Sequence, residues 1–128
     1  MDTRTAVDRW IETWSRAWPA KDADAVASLY ADDAWFRSQP FRELQHPRAY
    51  AEWAFSEQDE AECWFGTPFV AGDRAVVEYW GIVRFRGEAE TIAGIAVIRF
   101  GPDGLVREQY DYWNAQDGRH EPPPGWGR

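Results

Sequence analysis

Three long β-rich segments in the C-terminal half restrict the fold more than any other feature of the sequence. They are RAVVEYWGIVRFR at 74–86, TIAGIAVIRF at 91–100 and LVREQYDYWN at 105–114. All three are rich in β-branched and aromatic residues, which favour strands. The short stretches between them, RGEA and GPDG, are typical of hairpin turns. The pattern therefore predicts a meander of antiparallel strands.

The N-terminal part of the chain has a helical pattern instead. Apolar residues recur every three or four positions between 5 and 18, which predicts an amphipathic helix that Pro19 ends. A second helix is expected over 21–34, with Asp22 as its N-cap. A third is expected to begin at Pro47, since proline is favoured in the first helical turn.

Two shorter β-like segments come before the meander. AWFRSQ at 34–39 predicts a short strand, and CWFGTPFV at 63–70 predicts a bent or edge strand because Gly66 and Pro68 interrupt it. Helices first and strands afterwards indicate an α+β fold. We expect the helices to pack on one face of a curved, mainly antiparallel sheet.

Alternation within the meander predicts which side chains share its inner face. Pairing Phe100 with Leu105, and Arg86 with Ala89, closes the two hairpins, and directly opposite residues then project from the same side. The inward rows would be Tyr79, Ala96 and Gln109; Gly81, Gly94 and Asp111; Val83, Ile92 and Trp113. In this register two glycines leave a hollow beside Asp111.

An inward Asp111 has two interpretations. A carboxylate between helices and sheet must be hydrated, hydrogen-bonded or neutral. Burial would raise its pKa and prepare it as a general acid or base. Alternatively, Asp111 is a structural acid bonded to a helix terminus, a tryptophan or a tyrosine.

Composition excludes several functions. The 128 residues include 9 Trp, 7 Phe and 5 Tyr, enough for a bulky core or an aromatic cavity in a single domain over 1–116, followed by a Pro/Gly-rich tail at 117–128. A net charge of −8 disfavours nucleic acid and anionic membranes as partners. The single Cys63 is expected to be a buried, inert thiol. A membrane-spanning helix needs about 20 consecutive apolar residues. The sequence contains no such stretch, and we therefore expect a cytoplasmic protein.

Element order and three stretches of sequence resemble the SnoaL-like branch of the nuclear transport factor 2-like superfamily. The stretches are DADAVASLYADDAWF at 22–36, VVEYWG at 76–81 and RFGPDGLVREQYDYWN at 99–114. The resemblance implies a cone-shaped fold, in which a curved sheet wraps around three helices and encloses an apolar pocket. It also implies a homodimer formed through the outer face of the sheet.

The resemblance implies a fold more firmly than a function, because members include cyclases, isomerases, epoxide hydrolases, dehydratases and non-catalytic binders. Asp111 of QYDYWN matches the acid that limonene epoxide hydrolase-like members carry in the last strand. Their other hydrolytic residues are absent from the matching positions, which are Tyr79 and Gly81 (or Glu78 and Trp80) and, on the first strand, Phe36 and Ser38. We therefore expect no epoxide hydrolase.

The predicted site is a pocket for a small apolar or aromatic molecule, without metal or cofactor. Asp111 is the predicted catalytic residue, and the predicted lining is Trp14, Phe36, Ser38, Trp53, Trp64, Tyr79, Gly81, Gly94, Gln109 and Trp113. The first hypothesis is a cyclase, isomerase or hydratase type of enzyme in which Asp111 transfers a proton, with Tyr79 and Gln109 as its hydrogen-bond partners. The alternatives are a ligand-binding module and a dimerisation domain whose own rings fill the cavity.

Four other polar residues are candidates for a functional role. His46 is expected to begin the third helix rather than to act in catalysis, and Asp32 and Asp33 are expected to be turn residues that end the second helix. Arg37 could pair with Asp111 or contact an anionic ligand, although exposure to solvent is the commoner role.

Overall fold

The computed structural model describes all 128 residues, as three helices packed against a six-stranded sheet. The helices are α1 (Thr3–Ala20), α2 (Ala23–Ala27) and α3 (Pro47–Glu57). The strands are β1 (Tyr30–Arg37), β2 (Glu60–Phe65), β3 (Phe69–Ala71), β4 (Arg74–Phe85), β5 (Glu88–Phe100) and β6 (Val106–Asp117). The order across the sheet is β1-β6-β5-β4-β2, and β3 also pairs with β4. The predicted α+β class is confirmed, with one parallel pairing, between β1 and β6.

Helix α1 continues through Pro19, contrary to the prediction. It ends at Ala20, and Lys21 is its C-cap, whose left-handed backbone (φ 57°) directs its N–H to the carbonyl groups of Ala17 and Trp18. Proline removes the N–H that would bond the carbonyl of Ser15 four residues earlier. The thiol of Cys63 points at that carbonyl, with 3.8 Å between Sγ and O, so the cost of a proline in the last turn is partly offset.

The second helix is much shorter than predicted. Asp22 is its N-cap as expected, with Oδ1 3.0 Å from the N of Ala25, but α2 ends at Ala27 and β1 begins at Tyr30. Asp32 and Asp33 are exposed strand residues and not turn residues. A short Ala-rich helix is marginal by itself, and pairing with β6 fixes this segment as a strand.

Inner-face residues of the meander were predicted correctly, but both registers differ by two residues. The observed inward rows are Val77, Ala96 and Asp111; Tyr79, Gly94 and Trp113; Gly81, Ile92 and Ala115. A shift of two residues preserves the face, whereas a shift of one would reverse it. Asp111 therefore faces inward as expected, beside Ala96 rather than Gly94.

Turn geometry explains both shifts. Arg86 and Gly87 have φ values of 51° and 82°, as a two-residue hairpin turn requires, and this turn closes Phe85 on Glu88. In the second hairpin the register shifts between Arg99 and Phe100. The assumed closing pairs were therefore wrong.

The predicted hollow beside the two glycines does not form. The ring of Trp18 packs against Gly81, where an added Cβ would lie 2.5 Å from it. At Gly94 an added Cβ would collide with the backbone carbonyl of Tyr112 and with Trp113. Both positions allow close approach, of a ring in one case and of a neighbouring strand in the other.

We expect Gly94→Ala to lower the free energy of unfolding by roughly 3 kcal/mol, the upper range for overpacking. The new methyl group meets backbone, which cannot move without disturbing the pairing of β5 with β6. Gly81→Ala is the matched control and is expected to cost less, because the Trp18 ring is a side chain that can shift. Urea unfolding followed by circular dichroism measures both, and equal losses would contradict this interpretation.

The C-terminal tail packs on the outer face of the sheet. The Trp126 ring lies edge-on to Trp80, with 6.0 Å between centroids, and the indole of Trp80 donates to the carbonyl of His120 (2.7 Å). The N–H of Thr67 donates to the carbonyl of Gly127 (2.7 Å). The tail thus covers the outer face around Trp80. None of the three helices has the length and apolar composition needed to cross a membrane.

Candidate active site

A cavity of about 380 Å³ lies between the helices and the inner face of the sheet. Of the 19 residues that line it, 13 are hydrophobic. Helix α1 contributes three indole rings at helical spacing, Trp10, Trp14 and Trp18, and α3 contributes Trp53. The volume lies at the lower end of the range for small-molecule sites, and the wall is suited to a flat, apolar molecule.

Six of the predicted site residues line this cavity. They are Trp14, Trp53, Tyr79, Gln109, Asp111 and Trp113. The sheet brings the last four together, because their strands β4 and β6 flank β5 and all four side chains point inward.

The other five predicted lining residues lie elsewhere. Phe36 is buried behind the wall under Tyr50, at 4.7 Å between rings, and Ser38 is fully buried. Trp64 is opposite Trp80 on the outer face. Gly81 and Gly94 are covered by Trp18 and by β6, as described above.

Two functional candidates on the wall were missed, Arg42 and Tyr50. Arg42 lies in the loop after β1, where no periodicity indicates the direction of a side chain. Tyr50 could have been identified, since it lies three residues before Trp53 on α3 and shares its helix face. The guanidinium carbon of Arg42 is 5.3 Å from the Trp113 ring centroid and 5.6 Å from that of Trp53.

Asp111 accepts two hydrogen bonds and is half-buried at the cavity wall. Gln109 Nε2 donates to Oδ1 (3.0 Å), and the hydroxyl of Tyr79 donates to Oδ2 (3.3 Å). A carboxylate oxygen can accept two bonds, so each oxygen keeps one acceptor position. Arg37 is not a partner, since it lies on the outer face, 5.7 Å from the Tyr110 ring.

A second layer of hydrogen bonds fixes the direction of the Gln109 amide. Its Oε1 accepts from the indole of Trp10 (3.0 Å) and from the hydroxyl of Tyr30 (2.6 Å). That hydroxyl in turn accepts from the indole of Trp14 (3.2 Å). Indole N–H groups only donate, so Tyr30 must donate to Oε1 and the amide nitrogen must face Asp111.

Burial raises the pKa of Asp111 to about 7, and the hydrogen bonds from Gln109 and Tyr79 oppose this rise. Burial and the nearby Asp111 charge raise the pKa of Tyr50 to about 12, against a lowering by Arg42. Burial likewise holds the pKa of Tyr79 well above its usual value. The tyrosines are therefore neutral donors at neutral pH, while Asp111 exists in both protonation states.

Asp111 should make the protein less stable as pH rises. Its pKa is about 7 when folded against 3.8 as an isolated group, so between those values the folded state binds more protons and unfolding becomes easier as pH increases. We expect wild type to lose about 4 kcal/mol relative to Asp111→Asn between pH 4 and pH 8. Urea unfolding of both proteins across this range measures the difference, and parallel pH curves would contradict it.

The chain has no group of three or more His, Cys, Asp and Glu side chains placed to hold a metal ion. Burial raises the pKa of the Cys63 thiol to about 12, which agrees with an inert cysteine.

Several solved structures share this fold. SalBIII, an epoxide hydrolase/cyclase-like enzyme in pyran ring formation in the polyether salinomycin, has a TM-score of 0.76 and 15% identity, over 88% of this chain and 93% of that one. An LEH-like epoxide hydrolase from M. tuberculosis has a TM-score of 0.68 and 18% identity, over 86% of this chain and 84% of that one. A hexachlorocyclohexane dehydrochlorinase, LinA type 2, has a TM-score of 0.69 and 16% identity, over 95% of this chain and 94% of that one. At these identities the likeness concerns the fold alone.

Sequence comparison defines the family. No curated protein has a sequence that matches this chain. The model of the SnoaL-like domain, however, matches residues 7–109, which include most of α1, the other two helices, strands β1 to β5 and the first part of β6. The three helices and the curved mixed sheet agree with this match, and the chain belongs to the SnoaL-like domain family.

Proposed function

We propose that this chain is a cofactor-independent acid/base enzyme of the cyclase, isomerase or hydratase type, acting on a small apolar or aromatic molecule. The environment of Asp111 is the observation that supports the proposal. Asp111 is a carboxylate on an apolar cavity wall, with a pKa of about 7, two fixed donors and one open acceptor position on each oxygen. A general base works best when its pKa lies near the working pH.

The cavity can support removal of a proton from a carbon next to a carbonyl group. Ionised Asp111 would take the proton, and the electron pair of the broken C–H bond would move to the carbonyl oxygen. The hydroxyl of Tyr50, which is on the wall, is a donor for the resulting oxyanion. Protonated Asp111 would then return the proton at the same or another carbon.

Epoxide hydrolysis is not proposed. The inward residues of the central strand β4 include Val77, Tyr79 and Gly81, and none of them supplies the arginine and second aspartate that the resemblance to limonene epoxide hydrolases requires. The similar structures include a hydrolase, a cyclase-like enzyme and a dehydrochlorinase. The fold therefore accommodates several chemistries, and Asp111 is the residue of this chain that supports acid/base chemistry.

A ligand-binding module without catalysis is the second candidate. Arg42 favours it, because an anchored cation on the wall can orient a ligand without any proton transfer. A dimerisation domain with a self-filled cavity is less well supported, since about 380 Å³ remains open.

A panel of aromatic polyketides, steroids and terpenoids, assayed with wild type and Asp111→Asn, tests the proposal. Native mass spectrometry and thermal shift detect binding, and NMR in D₂O detects conversion or deuterium exchange. We expect a compound that stabilises both proteins but reacts only with wild type. Binding without reaction in either protein would favour the binding module. Absence of binding, with a merely less stable variant, would leave Asp111 as a structural acid and refute the proposal.

A further inference from the structure

Arg42 is the only cationic side chain on the cavity wall. The chain has 22 acidic and 14 basic residues, so carboxylate partners are abundant. The arginines that form ion pairs with them are Arg4, Arg16, Arg48, Arg84, Arg99, Arg107 and Arg119. Arg42 forms none and lines the cavity. The other arginines without an ion pair do not line it: Arg9, Arg37, Arg74, Arg86 and Arg128. An unpaired arginine on the wall of a cavity indicates a site for an anion from outside.

The side chain of Arg42 is held in place by protein contacts before any ligand binds. Its Nη1 donates to Ser38 Oγ (3.0 Å), and the fully buried Ser38 also accepts the indole N–H of Trp113 through its carbonyl (2.6 Å). The guanidinium lies close to the rings of Trp53 and Trp113, which is a favourable cation–π arrangement. Ser38 takes one of five N–H donors, and the planar group can still bind a carboxylate through two parallel bonds.

We propose that the cavity selects small aromatic carboxylates, with the carboxylate on Arg42 and the ring against Trp53 and Trp113. This inference rests on the proposed function only in taking the ligand to be the substrate. Three acids also line the cavity, Glu57, Glu90 and Asp111. Their negative charge disfavours anions everywhere except at Arg42, so the carboxylate end of a ligand has one favourable position. That position orients the rest of the molecule within the cavity that Asp111 also lines.

Three probes with the same ring test the preference by isothermal titration calorimetry: 2-naphthoate, its isostere 2-naphthamide, and the cationic 2-naphthylmethylamine. We expect wild type to bind the carboxylate roughly 10- to 100-fold more tightly than the amide, as charge-assisted hydrogen bonds imply, and the amine most weakly. Arg42→Gln should abolish this preference, and Arg42→Lys should keep part of it, because lysine has the charge without the two-pronged geometry. Arg37→Gln is the matched control, since Arg37 also lies over an aromatic ring but on the outer face.

Each outcome is decisive. Equal binding of acid and amide by wild type, tighter binding of the amine, or no binding of 2-naphthoate at millimolar concentration would overturn the inference without any variant. A preference that survives in folded Arg42→Gln would place the anion elsewhere. An acid preference among the probes, with no Asp111-dependent reaction in D₂O of any compound in the panel of polyketides, steroids and terpenoids, would leave the anion site standing and refute the enzyme. An Asp111-dependent reaction without an acid preference would support the enzyme and refute the anion site.

Discussion

Asp111→Asn is expected to slow the conversion or deuterium exchange of a bound substrate by about 10³-fold, the usual contribution of a general base. Ligand affinity should change little, because asparagine has the same shape. Its oxygen can still accept from Gln109, and the Tyr79 hydroxyl can rotate to accept from its amide. A loss of rate at constant affinity is the mark of a group that acts in the transition state.

The pH dependence of the wild-type rate provides an independent check of this prediction. The base must be ionised, so the rate should rise with pH through an apparent pKa of about 7 and then level off. Asp33→Asn removes an exposed carboxylate of β1 that pairs with Arg107, and it should retain both rate and profile. If Asp111→Asn reacts as fast as wild type, Asp111 is not the base.

Gln109→Leu is expected to lower the free energy of unfolding by roughly 3 kcal/mol, although leucine is more apolar and similar in size. The substitution leaves the Tyr30 hydroxyl without an acceptor and removes the 3.0 Å hydrogen bond that the Trp10 indole donates to Gln109. It also takes one of two donors from Asp111. Gln109 is almost fully buried, at 1% exposure, so water does not replace these partners. Urea unfolding at pH 7 measures the loss.

Tyr30→Phe separates the network from ordinary packing. In that variant Trp10 still donates to Gln109, and the indole of Trp14 loses its acceptor. We therefore expect a smaller loss, about 1–2 kcal/mol. A neutral Gln109→Leu, or a Tyr30→Phe that is the more damaging of the two, would mean that these bonds do not act as a connected unit.

Much of the fold was predictable because its signals are local. Period-two alternation and two turn sequences identified the meander and its inner face. The register was wrong by two residues because it depends on backbone angles at Arg86 and Gly87 and on the irregularity between Arg99 and Phe100. Composition does not reveal those angles. A register error of two residues keeps every side chain on its correct face of the sheet, so the inner face was still predicted correctly.

Among the hydrogen-bonding and charged residues of the candidate site, those on the meander were predictable and those elsewhere were not. Tyr79, Gln109 and Asp111 follow from the parity of their positions in two strands. Tyr30 falls within the helix that the sequence predicts over 21–34. Its bond to Gln109 spans 79 residues, a contact that the parallel pairing of β1 and β6 creates. Arg42 belongs to an aperiodic loop, and its orientation depends on Ser38 and two distant indoles.

The hydrogen-bond chain behind Asp111 has no exit for a proton. It ends in the indoles of Trp10 and Trp14, which donate hydrogen bonds but accept none, and burial raises the pKa of Tyr30 far above its usual value. A proton on Asp111 can therefore leave only into the cavity, to the bound molecule or to water that has entered beside it. The ratio of hydrogen transfer within the substrate to isotope uptake from D₂O would then count how often water reaches Asp111 during one catalytic cycle.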